Sequence, residues 1–154
     1  MAFKITYSVL DVDMDELHAS FDDALAKAKA ARGETFPSYL GGERLETGRF
    51  IESTSPIDGT LLAKAHAAGP EHVDTAIANA KTAQRQWAAL PWKERVRIMN
   101  NVADRISDNA MFYAAAMAME VGKNRLEALG DVEEAADLIR YYASQIEAND
   151  GFVK

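Results

Sequence analysis

The sequence has 154 residues, 48% of them hydrophobic, with 17 basic and 24 acidic side chains and a formal charge of −7. That apolar content excludes wholesale disorder, and the acidic balance argues against nucleic acid or an anionic membrane as the main partner. There is no cysteine, so these residues by themselves supply no disulfide, thiolate metal site or cysteine nucleophile.

The amino terminus, MAFKITYSVL, lacks the apolar run of a signal peptide, and Asp11 and Asp13 follow at once. Asp13-Met-Asp-Glu16 reads as a helix start, with a capping carboxylate and a glutamate three residues on. Leu17, Phe21, Ala24, Leu25 and Ala28 then recur on one helical face, which should end at Arg32-Gly33. From Pro37 to Ala67 the pattern changes to short strands. Tyr39-Leu40 precedes Gly41-Gly42, and residues 50–54 and 60–63 flank Ser55-Pro56-Ile57-Asp58-Gly59, a tight connection. A small antiparallel β segment at about 37–67 is expected.

Gly69-Pro70-Glu71 opens the next helix, with Val73, Ile77, Ala80, Ala83, Gln84 and Trp87 on its apolar stripe and Leu90-Pro91 at its stop. A helix from about Trp92 to Ser107 carries Val96, Met99, Val102 and Ile106. Another, about Asn109 to Val121, ends at Gly122. The last runs from near Asn124 to about Ala148, with Leu126, Val132, Ala135, Leu138, Ile139 and Tyr142. Residues 151–154 read as the start of a further strand. The longest apolar-rich stretch, Met111 to Met119, is about half of a membrane span. A soluble, cytoplasmic, mostly helical chain is predicted.

Individual residues carry local expectations. His18, His66 and His72 are far apart and lack ligand spacing, so no metal site is expected. Trp87 and Trp92 should pack the corner at Leu90-Pro91, and Met111, Met117 and Met119 should fill core. Arg95 should pair with Glu94 or a later carboxylate. Of Tyr141 and Tyr142, one should face inward, because adjacent helical positions diverge by about 100°.

Several segments, in order, resemble the amino-terminal third of the aldehyde dehydrogenase superfamily. They are Ser55-Pro56-Ile57-Asp58-Gly59; the stretch VDTAIANAKTAQRQWAALPWKER at 73–95; Glu120-Val121-Gly122-Lys123 with Glu127-Ala128; and 131–137 leading into Arg140-Tyr141-Tyr142-Ala143. The first forty residues and 121–152 are similar to bacterial glutamate-semialdehyde (pyrroline-5-carboxylate) dehydrogenases. The resemblance implies an α/β, Rossmann-type parent fold. This chain would then be an incomplete part of the dinucleotide-binding domain, with 1–36 an amino-terminal helical extension and 37–154 that partial domain, truncated before the catalytic domain.

The resemblance also implies a chemistry. A thiolate attacks the aldehyde, hydride passes to NAD, and water hydrolyses the thioester, which requires a Cys nucleophile, a Glu base and an oxyanion-hole Asn. In the family these lie beyond position 154, as does most of the NAD site, and the sequence has no G-x-G-x-x-G. No catalytic, cofactor-binding or metal residue is therefore assigned, and NAD binding or turnover by this chain alone is not expected. Asp131 and Glu134, three apart on one face, are the substrate-binding candidates, Glu134 first, for attracting the α-ammonium of an amino-acid semialdehyde. Glu133 beside them suggests that the same residues could instead be a solvated acidic face. The expected partners are the aldehyde substrate in the complete enzyme and the remainder of that enzyme or a homo-oligomer. The alternative is an independent helical interaction module without catalysis. An exposed apolar face on the last helix would favour the enzyme segment.

Overall fold

The structure is a computed structural model and describes residues 13–152. The chain divides into two compact units: one takes the chain up to Ala30 and from Pro91 onward, the other is Ala31–Leu90.

In the first unit, helix α1 (Met14–Ala30) is capped by Asp13, whose Oδ1 accepts the backbone N–H groups of Asp15 (3.0 Å) and Glu16 (3.2 Å). This satisfies two donors that a helix start otherwise leaves open. Asp13→Ala should cost about 1 kcal/mol, read as a lower urea midpoint at unchanged slope; an unchanged midpoint contradicts the cap. Leu17, Phe21, Ala24 and Ala28 are buried, the face the spacing predicted, and α1 packs on α4 (Ala110–Val121). Helix α5 (Arg125–Ala148) packs on both α4 and α3 (Trp92–Asp108). The core joins Leu17 and Phe21 to Ala114, Ala115, Ala128, Leu129 and Val132, with Met111, Met117 and Met119 partly buried against it. The alanines let the helices approach closely, and the methionines fill the gaps.

Gly122 ends α4 in the left-handed region (φ 72), its N–H bonded to the Ala118 carbonyl at 3.1 Å. Its Cβ-free backbone makes that stop inexpensive. Asn124 caps α5, its Oδ1 accepting Glu127 N–H at 3.0 Å. After α5 the strand expected at 151–154 does not begin at Gly151 or Phe152. Asp150–Phe152 form a 3-10 turn with positive φ at all three residues, and Phe152 N–H returns to the Asn149 carbonyl. Such backbone is incompatible with an extended strand; Val153 and Lys154 lie outside the described residues.

The second unit holds five strands and one helix. Strand β4 (Phe50–Thr54) pairs antiparallel with β5 (Leu61–His66), as the flanked turn predicted. Asp58 Oδ1 accepts Thr60 N–H at 3.0 Å, and this backbone bond, before any other cause, holds its carboxyl below the usual range. Strands β2 (Ser38–Leu40) and β3 (Glu43–Leu45) form a separate antiparallel hairpin across Gly41-Gly42. One strand escaped the sequence reading: β1 (Glu34–Phe36) pairs parallel with β5. Helix α2 (Pro70–Ala89) buries none of its residues, and Val73, Ile77 and Trp87 are exposed. Trp87 is thus exposed where packing was expected, and Trp92 lies against Gly151.

Candidate functional site

The candidate residues Asp131 and Glu134 sit in the second and third turns of α5, after its Asn124 cap. The structure separates them in chemistry although they share a face. Asp131 is half-buried, and its carboxylate is in contact with the Lys123 ammonium, just past the end of α4. Glu134 is exposed and makes no ion pair or hydrogen bond among the described residues. Its side chain faces solvent.

Glu133 is not part of a solvated acidic face. It is 6% exposed and accepts a hydrogen bond from Ser107 Oγ of α3 at 3.1 Å. Ser107 in turn accepts from Arg140 Nη2 (3.1 Å), and Arg140 also reaches Asp104 (3.0 Å) and Asp137 (3.2 Å). This network ties α5 to α3 and fixes which side of α5 faces outward. Three consecutive positions, 132 to 134, thus pass from core to buried network to solvent, because each step turns by about 100°.

The outward side of α5 continues from Glu134 through Leu138 (49% exposed), Tyr141 (56%) and Tyr142 (64%). Both tyrosines are outside, against the expectation that one packs inward. The inward positions at this level are Arg140 and Ala143, so Tyr141 and Tyr142 straddle the opposite side, their rings 5.4 Å apart edge to face. Leu138, Tyr141 and Tyr142 are exposed side chains on the helix where an apolar face was expected. The cavity of about 560 Å³ in the first unit lies elsewhere, lined by Ser20, Lys27, Asp108, Met111, Phe112 and Leu129 among others, and includes neither Asp131 nor Glu134.

Glu94 pairs with Arg97 rather than Arg95: Nε donates at 2.9 Å and the second nitrogen also contacts the carboxylate. The i,i+3 spacing brings Arg97 within reach of that carboxylate. Among the described residues, no cluster of His, Asp and Glu has the arrangement of a metal site, and no helix is long and apolar enough to cross a membrane.

Residues 44–154 match the aldehyde dehydrogenase family. The chain belongs to that family. It is 34% identical over 121 residues to acetaldehyde dehydrogenase 2 of Cupriavidus necator, covering 77% of this chain and 24% of that protein. It is 31% identical over 137 residues to 1-pyrroline-5-carboxylate dehydrogenase of Bacillus pumilus, covering 88% and 27%. Among solved structures, 1-pyrroline-5-carboxylate dehydrogenase from Thermus with bound NAD superposes with a TM-score of 0.84 at 28% identity, covering 92% of this chain and 28% of that one. Proline utilization A from Bdellovibrio bacteriovorus gives 0.85 at 27%, covering 96% and 15%. The chain thus spans about a quarter of the length of the curated relatives it matches.

Proposed function

We propose that this chain is the amino-terminal segment of an NAD-dependent aldehyde dehydrogenase that oxidises glutamate semialdehyde to glutamate. In this reading residues 37–154 belong to the cofactor-binding domain. Residues 1–36 are an amino-terminal extension whose helix α1 docks on α4. The observation that carries the substrate class is the likeness to 1-pyrroline-5-carboxylate dehydrogenases over 92% of the chain. The exposed α5 face supports a segment that meets further polypeptide over an independent module. With no cysteine, the chain's own residues cannot form the thiohemiacetal, so the nucleophile, the base and most of the NAD site come from that further polypeptide.

Within such an enzyme α5 borders the substrate's approach. Glu134 attracts the α-ammonium group, and Asp131, held by Lys123, contributes less. The test is a chimera in which this chain replaces the aligned 137 residues of the Bacillus pumilus enzyme. In an active chimera, Glu134→Ala should raise KM for glutamate semialdehyde about tenfold, equivalent to about 1.4 kcal/mol, and leave KM for acetaldehyde unchanged. Equal changes for both aldehydes would remove Glu134 from substrate recognition.

A further inference from the structure

Two of the three histidines perform the same unusual task at the two ends of one connection. The connection between β5 and α2 is residues 67–69, flanked by His66 at the end of β5 and His72 in the first turn of α2. His66 Nδ1 accepts the N–H of Gly48 at 3.2 Å, and His72 Nδ1 accepts the N–H of Gly69 at 3.0 Å. His72 stands at the third position of α2, where a glutamate or glutamine side chain commonly reaches back to the capping residue. His72 N–H meanwhile donates to the Gly69 carbonyl at 2.9 Å. The turn at 47–49 is tied to the same segment by Thr47 Oγ1 to the Ala67 carbonyl (2.9 Å) and Ala67 N–H to the Arg49 carbonyl (2.8 Å). Arg49 joins the two ends through Glu71 at 2.7 Å.

We propose that the β5–α2 connection is a proton-sensitive latch, closed only while Nδ1 of His66 and of His72 is unprotonated. A protonated imidazole has two N–H donors and no acceptor. Each backbone N–H then faces another donor, and the Gly48 and Gly69 bonds are lost together. At His72 the added positive charge also opposes the helix dipole, whose positive end is at this terminus.

The surrounding charges do not restore the lost bonds. Glu71 lies 3.4 Å from His72 Nδ1 and attracts the protonated ring, which draws the new N–H away from Gly69. Its carboxyl is held below the usual range, first by its own backbone N–H and also by Arg49. Around His66, the Phe50 ring packs from β4 with centroids 4.8 Å apart, and Ser38 Oγ of β2 holds the His66 carbonyl. The charged groups on its sheet face, Lys64 and Glu52, pair with each other at 2.6 Å. Protonation of either ring therefore opens its bond, and loss of that proton closes it.

The test is nitrogen-15 NMR on the full chain at about pH 7.5 and about pH 5, either side of the imidazole range. At the higher pH both rings should carry their proton on Nε2. Amide protection, normalised for intrinsic exchange, should fall about fivefold at Gly48 and Gly69 on acidification, the loss of one hydrogen bond each. Protection along the β4–β5 ladder should not change. His72→Gln keeps an acceptor at every pH, so it should abolish the fall at Gly69 and preserve it at Gly48; His66→Asn should do the reverse. A proton on Nδ1 of either ring at the higher pH, unchanged protection at either glycine, or a fall at Gly69 that persists in His72→Gln overturns the proposal. The ring and exchange measurements on the unsubstituted chain decide it even if a variant does not fold.

Discussion

Phe21→Ala should destabilise the first unit by about 3–5 kcal/mol, the usual cost of emptying a buried aromatic site. Phe21 is 2% exposed, the bulkiest fully buried side chain, and it sits where α1 closes over α4 and α5. The neighbours offered for repacking are largely alanines, whose short side chains cannot move in to fill the space. One ring face also carries the Arg125 guanidinium, centred 4.9 Å from the centroid, while Arg125 pairs with Asp22 at 2.7 Å. The substitution therefore removes apolar burial and a cation–π contact together. Total stabilities of small domains are about 5–15 kcal/mol, so much of the helical signal should be lost at low denaturant. A midpoint shift corresponding to less than about 1 kcal/mol contradicts the placement of α1.

The second large effect is at Arg140. Arg140→Met removes the cation shared by Asp104, Asp137 and, through Ser107, the buried Glu133. Removing one partner of a fully buried ion pair costs about 3–5 kcal/mol. Arg140 is about one-third exposed and Asp104 mostly so, and solvent screening brings the expectation to about 2 kcal/mol. Most of that cost should come from leaving the Glu133 carboxylate without the chain of donors that reaches it. Glu133→Gln in the Arg140→Met background should then recover part of the loss. Urea midpoints of the two single variants and the double variant measure the coupling. Strict additivity contradicts the network, because groups acting through a shared serine should not behave independently.

The features legible in the sequence were those set by local chemistry. The Asp13 cap, the left-handed Gly122, the Asn124 start and the turn at Asp58-Gly59 each depend on a few adjacent side chains, and each stands where it was expected. The family was legible too, because its motifs are spaced along most of the chain. What local chemistry could not show was which contacts each face finds. Glu133 reads as one of a run of acids, yet it is buried because Ser107 and Arg140 approach from α3 and from two turns along α5. Strand β1 is three exposed residues with no alternation, and its parallel pairing depends on β5, some 30 residues away. The stripe on α2 has a correct helical period, but none of its residues is buried. Tyr141 and Tyr142 fail the simple inside-outside rule because the inward positions beside them are an arginine and an alanine. His72 went unrecognised as a capping residue because that position ordinarily holds glutamate or glutamine.

The proposed function makes these residues one part of an aldehyde dehydrogenase whose chemistry needs residues they do not contain. The most direct measurement is NADH formation from glutamate semialdehyde by the purified chain and by the Bacillus pumilus chimera at equal concentration. No turnover is expected from the chain alone, and turnover is expected from the chimera. Turnover by the chain alone, or a folded chimera that forms no NADH, would contradict it.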